Sequence, residues 1–283
     1  MSDLIIYKHN ELIENFIFNA TESELQILNY AVAVTNPNWE SKNLVYTISI
    51  AELVATYKTK SHNSYKFYRD ALKKLMRREY EYINTNGHKV TENMVIRTTE
   101  DPKDPTWLEF KFNEYISTRL SNLKGLFTSY DIKHIAMFKS KYAFMLYEFF
   151  KLNIDQANHS GSPIYHKKIS IADFRLNLGL IDKYKIFRDL ETKVLKVAKE
   201  NINGYSNIRM SYTVTRKGRT PTHIVLRAQY KKNHEPDSPA IDLKQQEEIP
   251  LEQAPKERTE AQTTVGKRAL AAVRKTLKKT TKK

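Results

Sequence analysis

Ile48-Ser-Ile-Ala-Glu-Leu53 returns, with two conservative changes, as Ile169-Ser-Ile-Ala-Asp-Phe174. A second stretch follows each copy: Tyr65-Lys-Phe-Tyr-Arg-Asp70 and Tyr184-Lys-Ile-Phe-Arg-Asp189. The offsets are 121 and 119 residues, so the motifs keep their order and the second copy has a loop two residues shorter. An internal repeat is the first feature to settle, because it fixes the architecture before any element is assigned. The chain therefore reads as two related domains in tandem, which 283 residues accommodate.

Working outward, each copy predicts the same run of elements. In the second, Thr128 and Ser129 are placed to cap a short helix with Ile132, Ile135 and Ala136 on one face. Ser140 opens the next helix, where Ala143, Leu146, Tyr147 and Phe150 recur at helical spacing. A strand follows near Tyr165–Ile169, and Ser170 with Asp173 resembles a capping box ahead of a third helix stopped by Gly179. A longer helix is predicted from Lys183 to Asn201, with Phe187, Leu190, Val194 and Val197 inward, ending at Asn203-Gly204. Two β-rich runs, Ile208–Thr215 and Thr222–Tyr230, flank a turn at Arg216–Pro221.

The first copy reads the same way. Asn10–Phe18 is the short helix, and Thr21 with Glu24 forms a capping box before Leu25, Leu28 and Val32. Val45–Ile48 is a strand, Ser49 with Glu52 caps the third helix, and Asn63–Arg78 is the fourth. Tyr80–Ile83, Met94–Thr98 and Trp107–Phe112 are strands. Helix, helix, strand, helix, helix, strand, strand is the order of a winged helix-turn-helix. The expected fold is α+β: two tandem winged helix-turn-helix domains, residues 1–122 and 123–232. A disordered, basic C-terminal tail over 233–283 follows, marked by Pro236, Pro239, Pro250 and Pro255. Leu270, Val273 and Leu277 form a weak apolar stripe in it.

Charge is distributed unevenly. Residues 1–112 carry 14 basic and 15 acidic side chains, residues 113–232 carry 22 and 9, and the tail carries 11 and 8. The net charge of +15 thus belongs mainly to one folded region, which calls for a polyanionic partner, nucleic acid first. With no Cys, disulfides, cysteine zinc sites and thiol nucleophiles are excluded, in keeping with a reducing cytoplasm. The N-terminal apolar run breaks at Lys8, too early for a signal peptide, and no stretch approaches the ~20 apolar residues of a membrane span.

In a helix-turn-helix the second helix enters the major groove and presents its outer face to base edges and phosphates. In the second domain that face shows Lys185, Arg188, Asp189, Thr192, Lys193 and Lys196. Arg188 is suited to forking onto a guanine, while Lys196 and Lys199 suit phosphates. A solvated charged face is the plain alternative. The wing tip weighs against it, because Arg216, Lys217 and Arg219 surround Gly218 and supply a second basic element beside the helix. The first domain offers Lys66, Arg69, Lys73 and Lys74, after Lys58 and Lys60. Its wing tip, Glu100-Asp-Pro-Lys-Asp104, is acidic and would be repelled by phosphate. The second domain is therefore expected to be the main reader, and the first a weaker DNA contact, a dimerisation module, or both.

Catalytic patterns are missing. There is no GxxxxGK[ST], His-x-His pair, HExxH or GxSxG, so no catalytic, cofactor-binding or metal residues are assigned. Arg216, Arg219, His223 and Tyr230 loosely suggest a tyrosine recombinase set but read better as wing and strand residues. The residues by themselves point to a DNA-binding double winged helix, with a transcriptional regulator as one reading.

Three stretches carry a resemblance that favours another. They are Asn10-Glu-Leu-Ile-Glu14 with Thr21-Glu-Ser-Glu-Leu25; Leu126–Ile132 running into Lys139-Ser-Lys-Tyr-Ala-Phe-Met-Leu-Tyr-Glu-Phe-Phe150; and Phe187 with Leu195–Asn203. Across residues 8–232 the chain resembles the iteron-binding plasmid replication initiators of bacteria. The resemblance implies binding to direct repeats (iterons) in double-stranded origin DNA and opening of an adjacent AT-rich region. It implies recruitment of the host initiator DnaA and the replicative helicase. It also implies monomers that initiate and homodimers that bind an inverted repeat and repress their own gene, with the dimer contact in the first domain. Glu191 departs from this pattern, since a basic residue is common there.

Overall fold

The computed structural model describes residues 4–14, 20–35, 45–60, 63–84, 86–101, 103–121, 123 and 125–232. The expected tail with its Leu270 stripe, residues 15–18 of the first predicted helix, and Pro102 of the first wing tip lie outside them.

The first winged-helix domain opens with β1 (Ile5–His9), α1 (Asn10–Glu14) and α2 (Glu22–Ala33). The capping box forms as predicted: the Thr21 hydroxyl accepts from the Glu24 N–H, and the Glu24 carboxylate accepts from the Thr21 N–H at 2.6 Å. That carboxylate is fully buried and also takes the Arg78 guanidinium at 2.8 and 3.2 Å, so one acid closes the cap and pins a distant helix end. Next come β2 (Tyr46–Ser49), α3 (Ile50–Tyr57) and α4 (Ser64–Met76). Ser49 makes no side-chain cap, a correction to the sequence reading, and the Glu52 carboxylate instead accepts from the Tyr30 hydroxyl at 3.0 Å. β5 (Val95–Thr99) and β6 (Trp107–Phe112) complete a three-stranded sheet in the order β2-β6-β5. Its residues Ile48, Leu108, Phe110 and Phe112 are buried in the core, as are Leu53, Tyr57, Tyr68 and Leu75 of the helices. Strands β3 (Glu79–Ile83) and β4 (Lys89–Asn93) pair as a hairpin. Its outer part, Glu81–Thr91, is a separate unit turning at Gly87, with Lys89 and Glu81 ion-paired at 2.7 Å.

Helix α5 (Glu114–Leu120), capped by Asn113, was not anticipated from sequence. Neither was the strand β7 (Phe127–Asp131), where a helix capped by Thr128 and Ser129 was expected. β7 pairs antiparallel with β1, and only at Asp131 does a short 3-10 turn, Ile132–His134, begin. A strand whose partner lies more than 110 residues upstream leaves no local signal. The rest of the second domain is α6 (Lys141–His159), β8 (Tyr165–Ser170), α7 (Ile171–Asn177) and a continuous helix. That helix runs as α8 (Phe187–Leu190), a π-turn over Glu191–Lys196, and α9 (Val197–Tyr205). β9 (Ile208–Lys217) and β10 (Thr220–Tyr230) then form a sheet with β8 in the order β8-β10-β9. The predicted stop at Asn203-Gly204 comes late. Asn203 instead bridges to strand β9, accepting from the Met210 N–H at 2.7 Å and donating to its carbonyl at 3.0 Å. Among the described residues, no helix is long and apolar enough to cross a membrane.

Candidate nucleic-acid interface

Ser170 builds the entrance to the second helix-turn-helix. Its hydroxyl accepts from the Asp173 N–H at 3.0 Å and donates to the Asp173 carboxylate at 2.8 Å. Gly179, at φ +63°, turns the chain after α7. The loop that follows is held from within. Arg175 donates to the Lys183 carbonyl at 2.6 Å, to the Tyr184 carbonyl, and to the Lys185 carbonyl at 3.1 Å. In a helix those carbonyls would accept from the N–H groups four residues on. The guanidinium holds them in a turn that is not helical, with Tyr184 in the left-handed region at φ +52°, and Lys183–Ile186 lie outside the helix. The predicted start at Lys183 is thus corrected to Phe187. In the first copy Val54 stands where Arg175 does, and α4 starts at Ser64, one turn earlier relative to the repeat.

The π-turn has a measurable consequence. It adds a residue to one turn, so the buried face moves one position along the chain beyond it. Leu190 and Val194 are buried as predicted, but the face then passes to Leu195, Ala198 and Ile202, while Val197 is only half-buried. Outside, Lys185, Arg188, Thr192, Lys193, Lys196 and Lys199 are exposed and Asp189 is half-buried. Glu191 does not join that face freely: the Tyr212 hydroxyl donates to its carboxylate at 3.3 Å. Burial and the nearby acid push the Tyr212 phenol up to about 12, so it remains a donor.

The second wing is a two-residue hairpin. Lys217 faces Thr220 across the turn, Gly218 adopts φ +60°, and Arg216 donates to the Arg219 carbonyl at 3.2 Å. Arg216, Lys217 and Arg219 are exposed. Among the described residues, none of the basic side chains on the α8–α9 face or at this tip has an acidic partner. The predicted helix and wing cations thus lie on one winged-helix unit and have no acidic ion-pair partner among the described residues.

The first domain differs. Lys66, Lys74, Lys58 and Lys60 are exposed, and Arg69 is half-buried with its Nε donating to the Tyr65 carbonyl. Lys73 is ion-paired with Glu100 at 3.0 Å, so the acidic wing neutralises part of its own helix. Asp104 accepts from Thr106, which holds its carboxyl below the usual range and keeps the tip anionic. Sequence reasoning named these residues but not the pairing between them. No three His, Asp or Glu side chains come together as a metal site among the described residues.

Residues 5–151 match the family model described as Initiator Replication protein, WH1, and residues 170–227 match Initiator Rep protein, WH2. A replication initiation protein of Escherichia coli is 28% identical over 231 residues, spanning 80% of this chain and 69% of that protein. The crystal structure of the Pi initiator protein in complex with iteron DNA is similar at a TM-score of 0.67 and 19% identity. It covers 82% of this chain and all of that one, and the likeness shows the double winged-helix fold.

Proposed function

The chain belongs to the initiator replication protein family, and from that membership we propose that it binds direct repeats in a plasmid origin, without catalysis, in the bacterial cytoplasm. The observation that carries this is the basic surface of the second domain, whose helix and wing cations have no acidic ion-pair partner among the described residues. Arg188, Lys193 and Lys196 on the reading helix and Arg216, Lys217 and Arg219 on the wing belong to one domain. A helix in the major groove with a wing on the adjacent backbone uses both at once. Lys185 and Thr192 complete the helix contact. Lys66, Arg69 and Lys73 give a weaker contact from the first domain, limited by the Glu100 pair. Residues 1–122 carry the dimer contact, residues 123–232 the main reading surface. The iteron complex of the Pi initiator protein supports duplex DNA as the partner. Recruitment of DnaA and the replicative helicase, and a monomer–homodimer exchange with binding to an inverted repeat of its own promoter, complete the proposal.

The test is a footprint of the full-length protein on its own plasmid DNA, at physiological salt with competitor. A ladder of protected direct repeats spaced about 20–22 bp, two helical turns, is expected. One protected inverted repeat over a promoter and nothing else would overturn the origin-binding reading in favour of a regulator.

A further inference from the structure

Among the described residues, five α-helices open on a residue whose side chain caps them, while α3 does not. Thr21, Asn63, Asn113, Ser140 and Ser170 each accept a backbone N–H at the first turn. The reading helix of the second domain is different: Ile186 stands at its cap position and makes no side-chain bond there. Isoleucine is among the weakest residues at that place, where serine or aspartate would stabilise the helix. Packing does not compensate. Ile186 is 68% exposed, more than any other large apolar side chain among the described residues.

Its position is nevertheless fixed. Arg175 ties down the three carbonyls just before it, and the Tyr184 ring packs edge-on to Tyr142 at 6.2 Å with the Lys193 ammonium 5.9 Å from its centre. A left-handed non-glycine residue and an uncapped helix are both unfavourable locally, which is how functional segments are often held, and here the Arg175 hydrogen bonds hold them. Lys185 on one side and Arg188 on the other are exposed, so an apolar side chain stands inside a basic surface. The equivalent position of the first copy, Phe67, is exposed too.

The N-terminal residues of a recognition helix are those that meet base edges. Phosphates and the polar groups of the groove offer nothing to a branched aliphatic chain. The one apolar group on the major-groove edge is the 5-methyl of thymine. Resting on the DNA-binding reading above, we propose that Ile186 packs on a thymine methyl and sets the preference for thymine at one base pair of each bound repeat.

The test compares the full-length protein with its Ile186→Ser variant. Each is taken through selection from a randomised duplex pool. The sequence won by the wild type is then remade with deoxyuridine in place of each thymidine in turn, and its affinity for both proteins is measured. One deoxyuridine should weaken wild-type binding about fourfold, the value of one buried methyl, and leave Ile186→Ser unaffected. The variant should melt at the wild-type temperature or above, because serine caps the helix. Equal sensitivity in both proteins, or none in the wild type, overturns the proposal, and so does a lowered melting temperature, which would make Ile186 a packing residue. A wild type that selects no common sequence overturns the DNA-reading function as well, a result distinct from the first.

Discussion

The Lys8 ammonium lies 2.5 Å from the Glu148 carboxylate, joining strand β1 at the start of the chain to the middle of α6. Only 12% and 15% of these side chains are exposed. Lys8 also donates to the Asn29 side chain at 2.6 Å, and the Tyr130 hydroxyl donates to the same carboxylate at 2.5 Å. One ion pair therefore gathers β1, α2, β7 and α6. Removing one partner of a desolvated pair strands the other charge, so Glu148→Gln should cost about 3 kcal/mol in urea unfolding. The double change Lys8→Met with Glu148→Leu should recover most of that loss. Equal losses for single and double variants would show that packing, and not charge, makes this junction.

The same region gives a pH dependence. Burial, then the like charges of Lys183 and Arg78, hold the Lys141 ammonium down at about 8, with Glu24 opposing them. The folded chain therefore gives up a proton near pH 8 that the unfolded chain keeps until about 10.5. Stability should rise as pH climbs from about 8 towards 10, because the unfolded state binds more protons there. Half-exposure of Lys141 keeps the rise modest. Above pH 10 the sign reverses. Burial pushes the phenols of Tyr57, Tyr130 and Tyr147 well above their usual value, so the unfolded chain loses protons the folded one retains. Urea midpoints across this range should pass through a maximum, and Lys141→Met should lose the rise but keep the fall.

Base contacts and phosphate contacts separate by salt. Arg188→Ala should weaken binding to the selected sequence by about 1–3 kcal/mol and leave random duplex nearly unaffected. Arg216→Ala with Arg219→Ala should weaken binding to every duplex and flatten the slope of log affinity against log salt by about 0.9 for each lost contact. An unchanged slope would take the wing off the DNA.

Arg175 is a positioning residue for that surface. Arg175→Val installs the residue found at the same place of the first copy and frees the carbonyls of residues 183–185 to accept helical bonds. The reading helix should lengthen at its start. Far-UV helicity should hold or rise slightly while specific affinity falls about tenfold, because the Lys185–Arg188 segment is rotated out of place. Retained affinity together with raised helicity would mean that the geometry of this turn is not read by DNA.

What was legible in the sequence was local. Capping by Thr21 with Glu24, by Ser140 and by Ser170 with Asp173, and the strand Trp107–Phe112, are legible because each is settled within a few residues. What escaped depends on distant partners. β7 is a strand because β1 lies beside it, and Ser49 makes no side-chain cap while the Glu52 carboxylate accepts from the distant Tyr30 hydroxyl. The reading helix starts late because of a guanidinium on another helix, and its buried face shifts because a π-turn adds a residue. The basic side chains of the interface were nameable from composition and helical spacing. Which of them are neutralised was not, since that is decided by an acid 27 positions away from Lys73.

That acid, Glu100, governs the charge α4 can offer to DNA. Lys73 and Glu100 are both about half exposed, so their ion pair adds little to stability. Its effect on DNA is larger, because a neutralised lysine releases no counterions from phosphate. Glu100→Gln should leave the melting temperature within about 1 °C, strengthen binding to all duplexes, and steepen the salt slope by about 0.9, one phosphate contact. Lys73→Ala should give the opposite change only in the Glu100→Gln background, because in the wild type the charge is already spent. Such a coupled pair would place α4 of the first domain against the DNA backbone. Additive, negligible effects of both substitutions would remove Lys73 from the contact surface.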